Sequence, residues 1–205
     1  MKYLALVNAQ VYYGPDCYYG RLCYIKVFDD FGKAKEAVEK KCKKMGVDPK
    51  CFESGELGFG GWQSKACTTS ASLLHNEDWR EMKVTETEKA EQVSASIIAL
   101  DDEIGKYVAV SYSCFDGPDA PEFLGSDDNI EKVKQMAMDY VDDHYKEIND
   151  TFEEVYPIYE AKDIDKAWED GCAWVKNPTG INLLDGCEGV SHSAGVISME
   201  EEKLV

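Results

Sequence analysis

Positive charge, histidine and long apolar runs are what this sequence has least of. Twenty-two Lys and Arg stand against 40 Asp and Glu, a formal net charge of −18, and three His occur in 205 residues. A surface of that sign repels phosphate polyanions and anionic bilayers alike, so neither direct nucleic-acid binding nor membrane binding is expected. The stretch Leu4-Ala5-Leu6-Val7 is too short for the core of a leader peptide. No apolar run reaches the ~20 residues with which a helix crosses a bilayer. These absences lead to the expectation of a soluble protein of the cytoplasm.

The spacings that hold metals and phosphates are missing as well. None of the eight cysteines forms C-x-x-C, and His75, His144 and His192 lie far apart in sequence. Zinc sites draw their ligands in close pairs, so no metal is expected. Gly55, Gly58, Gly60 and Gly61 form a glycine-rich stretch with no Lys-Ser/Thr after it, which matches neither phosphate-binding fingerprint, and no cofactor is expected. Without a leader the cysteines read as free thiols, several of them buried as small apolar groups. Cys114 or Cys187 with His192 or His144 would be the candidates for nucleophilic catalysis. A cysteine nucleophile needs a base beside it, and nothing in the local sequence pairs these residues; His192, in Ser191-His192-Ser193, reads as an exposed loop residue. An enzyme acting on a small or nucleotide-like substrate, with such a site between two units, is the alternative reading.

What is present is a pattern stated twice. KYLALVNAQVYYGPD (2–16) and KYVAVSYSCFDGPD (106–119) both begin Lys-Tyr-apolar-Ala-apolar and end Gly-Pro-Asp. Tyr3–Val7 and Leu22–Phe28 read as strands, and Phe31, Ala34, Ala37, Val38, Cys42 and Met45 recur at helical steps after Asp29-Asp30. Gly46 and Pro49 stop that helix. Strands are expected at Arg80–Thr87, Val93–Leu100 and Lys106–Cys114, the last two joined as an antiparallel hairpin. In the second copy the strand between turn and helix is missing or replaced by Pro121–Gly125. A long helix follows over Asn129–Asn149, with the apolar stripe Ile130, Val133, Met136, Ala137, Tyr140, Val141, Tyr145 and Ile148. Val155–Ala161 reads as a strand, Asp163–Asp170 as a short helix, 177–195 as loop and Gly195–Leu204 as a closing strand. The fold class is α+β, antiparallel sheets with helices packed on one face. The expected units are 1–100, with a basic helix and the glycine-rich loop, and 101–205, strongly acidic; one core can serve both.

The charge is unevenly placed. Residues 1–50 hold ten Lys/Arg and six Asp/Glu, a net of +4, which leaves −22 for residues 51–205. Residues 116–170 alone contain eighteen acids and five lysines. Asp139, Asp143 and Glu147 stand at i, i+4 and i+8 on one helix face, with Asp142 and Asp150 beside them. Carboxylates so spaced lie about 6 Å apart, close to the phosphate repeat of a nucleic-acid strand, and can occupy a groove built of Lys and Arg. Phe115, Phe123, Tyr140, Tyr145, Tyr156 and Tyr159 are the aromatics available as apolar anchors in such an interface.

The order KYLALV then FDDFGKAKEAVEKKC, echoed over 106–145, resembles small accessory proteins of bacteriophages and other mobile elements. Some of these are acidic inhibitors of host defence, of the anti-CRISPR or anti-restriction type, and several resemble nucleic acid in charge. The resemblance implies a non-enzymatic protein in the host cytoplasm that blocks a basic nucleic-acid-binding protein or nucleoprotein complex. The expected partner-binding residues are Asp127, Asp128, Asp139, Asp142, Asp143, Glu147, Asp150, Glu153 and Glu154.

Overall fold

The computed structural model describes residues 1–12, 18–47, 56–57, 61–63, 67–68, 92–114, 117–152, 158–160, 163, 166, 169, 172–177, 180–185 and 190–205. The fold is α+β. The first sheet contains β1 (Lys2–Tyr12), β2 (Tyr18–Phe28), β3 (Glu56–Leu57), β4 (Gly61–Gln63), β5 (Cys67–Thr68) and β6 (Gln92–Leu100), in the order β2-β1-β6-β4-β3 with β5 also on β6. The second contains β7 (Tyr107–Ser111), β8 (Glu122–Asp127), β9 (Ile158–Glu160), β10 (Cys172–Asn177), β11 (Gly180–Asp185), β12 (Val190–Ser198) and β13 (Lys203–Leu204). Its order is β8-β7-β12-β11-β10-β9, with β13 also on β12. All pairings are antiparallel except β9 with β10.

The side-chain alternation of the strands sets the layers. In β1, Ala5, Val7 and Ala9 point to one face and join Val93, Ala95 and Ile97 of β6. Helix α1 (Phe31–Lys44) covers that face with Ala34, Val38 and Cys42, which recur every four residues. Leu4 and Leu6 point the other way and meet Leu22, Ile98 and Leu100 of their own sheet and Val108, Val110, Tyr112 and Ile197 of the second. Ala109, Ala194 and Val196 form the far face of the second sheet, which α2 (Ile130–Phe152) covers with Val133, Ala137 and Val141. The order of layers is helix, sheet, sheet, helix, and each sheet carries its helix on one face. Ala173 and Tyr159, at the far end of the second sheet, also reach the α1 cluster.

Both helices are bounded by local chemistry. Asp30 accepts the Lys33 amide at 2.8 Å as the N-cap of α1. Gly46, at φ 79°, ends it with its own amide on Lys43 O and the Val47 amide on Cys42 O. Asn129 caps α2 through the Glu131 amide at 3.0 Å.

Several expectations are corrected here. The strands at 93–100 and 107–111 form, but not as a hairpin: both edges of β6 are already taken, by β1 on one side and β4 and β5 on the other. The chain therefore crosses at 101–106 into the second sheet, where β7 pairs β12 and β8. The stretch Pro121–Gly125, expected to stand where the second copy's strand is missing or replaced, overlaps strand β8. Thus β1, β2, α1 and β6 match β7, β8, α2 and β12 in order and pairing. Much of 177–195 is strand rather than loop, because β11 finds a partner along each edge, which overrides its Gly and Asn content. Glu56–Leu57 and Gly61–Gln63 of the glycine-rich stretch pair as β3 and β4. Arg80–Thr87 lies outside the described residues, and of Asp163–Asp170 only 163, 166 and 169 are described, all helical.

Ile197 is fully buried between the sheets, whereas Phe123 in β8 is 43 % exposed. Ile197→Ala is expected to cost about 2–5 kcal/mol in urea unfolding, and Phe123→Ala less than about 1 kcal/mol. Equal losses would contradict the layer assignment.

Candidate acidic interface

The acidic face of α2 follows from its helical period. With Val133, Ala137 and Val141 buried against the sheet, Asp139 and Asp143 are exposed one turn apart and Asp142 is half-buried. Asp139 Oδ1 accepts a hydrogen bond from Gln135 Nε2 at 2.8 Å, which orients the carboxylate along the helix. A Cβ on Gly125 of β8 would lie 2.6 Å from Met136 Sδ, so Met136 packs directly over that strand. Positions three and seven residues after Met136 share its side of the helix. Asp139 and Asp143 therefore stand on the flank of α2 that overhangs β8, the terminal strand of its sheet, while Phe123, paired with Val110, is exposed on the other face of that strand.

The expected site residues separate into three groups. Asp139, Asp142 and Asp143 are brought together on α2. Asp127 and Asp128 are engaged in building the start of that helix: Asp127 accepts the Asn129 amide at 2.8 Å and pairs with Lys132 at 3.0 Å, while Asp128 accepts the Lys106 amide at 3.0 Å. The Asn129 amide first, and Lys132 second, hold the Asp127 carboxyl below the usual carboxylate range. Glu131 pairs with Lys134 at 3.1 Å. Glu147 and Asp150 lie on the helix with side chains outside the described residues, and Glu153 and Glu154 lie outside them altogether. Among the aromatics, Phe123 is exposed, Tyr140 and Tyr159 pack against core clusters, the Tyr145 side chain is not described, and Phe115 and Tyr156 fall outside the described residues.

The two described helices differ in charge. Helix α1 carries six Lys and two Glu, and α2 six acids and three Lys. They cover opposite outer faces. With layers spaced about 10 Å, the helices are roughly 30 Å apart, several times the ~8 Å screening length at physiological salt. The basic helix therefore does not neutralise the acidic one.

Two cysteines outside the candidate set are held as thiols by their surroundings. Burial pushes the Cys23 thiol up to about 11; burial and then the neighbouring Cys23 push Cys42 up to about 12. Cys114 is 1 % exposed. His192 is not a loop residue: it lies half-buried in β12, opposite Leu183 of β11. Cys187 and the His144 side chain are outside the described residues, and no cluster of three His, Cys, Asp or Glu able to hold a metal occurs among the described ones.

One residue that carries the architecture escaped the sequence reading. Asn8, fully buried in β1, aims Nδ2 at Tyr112 O, Ser113 O and Asp119 O of the second half, each at 2.9 Å. Ser94 Oγ joins at Asp119 O, 2.6 Å. The second Gly-Pro-Asp is thus anchored by its Asp carbonyl on the first half's opening strand. Gly20 makes the approach possible, since a Cβ there would fall 1.8 Å from Tyr112 O. The available signal was two amides, Asn8 and Gln10, at alternate positions of an otherwise apolar strand.

No protein-family model, no curated protein and no solved structure matches this chain.

Cys42 is 1 % exposed, and burial holds it as the unreactive thiol near neutral pH. Ellman's reagent should label it at least roughly a hundredfold more slowly in the folded protein than in urea. Fast native labelling of Cys42 would contradict the burial described.

Proposed function

We propose that the chain is a non-enzymatic acidic binding protein, a phage-type inhibitor that docks α2 into the basic groove of a nucleic-acid-binding host protein. The observation that supports this most is the exposed Asp139–Asp143 pair on the face of α2 remote from the lysines of α1. Asp142, Glu147 and Asp150 extend the row along the helix. Charge pairing of this kind speeds encounter and weakens as salt rises.

The partner is defined by its chemistry: a Lys- and Arg-lined groove that otherwise holds a phosphate backbone. The quadruple reversal Asp139→Lys, Asp142→Lys, Asp143→Lys and Glu147→Lys is expected to abolish capture of such a protein from a host lysate, with circular dichroism and the urea midpoint little changed. Reversal of Lys33, Lys35 and Lys40 on α1 should leave capture intact. The captured protein should lose its nucleic acid on binding, and capture should fall roughly tenfold between low and high salt. Undiminished capture by the quadruple variant, or a captured protein that keeps its nucleic acid, contradicts the proposal.

A further inference from the structure

We propose that residues 199–205 form a latch over one end of the inter-sheet layer, that Glu202 is its bolt, and that acid withdraws the bolt. The segment leaves β12 at Ser198, turns, and returns as β13 with Leu204 opposite Ile197. The turn is closed by the Glu202 amide on Ser198 O at 2.9 Å and the Glu201 amide on Ser198 Oγ at 3.2 Å. Met199 donates its amide to Lys106 O and Val205 to Val196 O, both at 2.9 Å. Met199 and Leu204 pack on the cluster that holds the sheets together, beside Ile25 and Val27 of β2.

Glu202 is the residue that local propensity would not choose. Its φ is 51°, and it is the sole non-glycine at positive φ among the described residues. Gly or Asn would fill that position with less strain. The side chain explains the choice. Oε1 accepts the Val27 amide at 2.9 Å, and Oε2 pairs with Lys26 Nζ. Val27 belongs to β2, the terminal strand of the other sheet, so its amide takes this acceptor in place of a neighbouring strand. One carboxylate thus ties the second sheet's last turn to the first sheet's edge.

The charged and titratable groups around this carboxylate are few. Lys26 and Tyr24 lie on β2, and Glu201, already paired with Lys203, lies in the turn. Lys26 holds the Glu202 carboxyl below its ordinary range, and the same contact holds the Lys26 ammonium above its own. A carboxyl depressed in the folded state stabilises fully above its unfolded value, near 4.3, and loses that contribution as pH falls through the folded value. The latch is therefore shut at neutral pH and released in acid.

Amide hydrogen exchange at Val27, normalised to the intrinsic rate, reads the latch; the amides of Val108 and Val110 read the core. At pH 7, Glu202→Ala should raise Val27 exchange at least ~10-fold with the core amides unchanged, and Glu202→Gln, which keeps an acceptor, should raise it less. In the unaltered protein Val27 protection should fall below about pH 4.5 before core protection does, and Lys26→Ala should move that fall to higher pH. This pH series also decides the matter if Glu202→Ala does not fold. Val27 exchange within about twofold of the unaltered protein in Glu202→Ala, or Val27 and core amides opening together in acid with or without Lys26, overturns the latch.

Discussion

The apolar layer between the two sheets is the constraint on which the rest of this molecule depends. Leu4 and Leu6 from one half meet Val108 and Val110 from the other, at matching places in the two copies of the Lys-Tyr pattern. Because strand side chains alternate, committing those positions to the inter-sheet layer sends Ala5, Val7 and Ala109 to the outer faces. Each outer face then needs a helix, and each half supplies one. The helices end on opposite sides of a two-sheet slab, so the α1 lysines and the α2 carboxylates are kept apart. A chain with the same composition but a shared helical layer would set the α1 lysines beside the α2 carboxylates and cancel both.

The inter-sheet layer also changes character along its length. Large aliphatic residues fill one end, and Asn8, Gln10, Ser94, Ser96 and Ser193, all buried, take over at the other. At that end the backbones come close, with Gly20 against Tyr112 O, and Asn8 and Ser94 hydrogen-bond across to the second half. Apolar packing tolerates sliding of one sheet over the other; three carbonyls converging on a single side-chain amide do not. Asn8 fixes how the halves sit, and it gives the second Gly-Pro-Asp its role as the turn that is held. The first, Gly14-Pro15-Asp16, lies outside the described residues.

Much of this was legible in the residues. The i, i+4 spacing of Ala34, Val38 and Cys42, with Asp30 before and Gly46 after, located α1 closely, and the α2 stripe was equally plain. The pairing of strands was not. The five-residue link 101–105 looks like a hairpin turn by length, and only the fact that β6 is paired on both edges excludes it. The Gly, Asn and Ser of 177–195 suggest loop, yet β11 and β12 accommodate them because neighbours satisfy their backbone. For the acidic site, helix periodicity identified Asp139 and Asp143 correctly as one face. It could not show that Asp127 and Asp128 are occupied by amides and a lysine, since those contacts arise from β8 and the 101–106 link meeting the start of α2.

The central claim is that α2 presents negative charge as an independent face, electrically separate from α1. The most direct measurement is titration of the isotopically labelled protein with a short oligolysine peptide at physiological ionic strength, followed by backbone amide shifts. Shifts concentrated on residues 135–150 of α2 and on β8, with α1 unmoved, are the predicted result. Shifts distributed evenly over the acidic residues of both halves would contradict it.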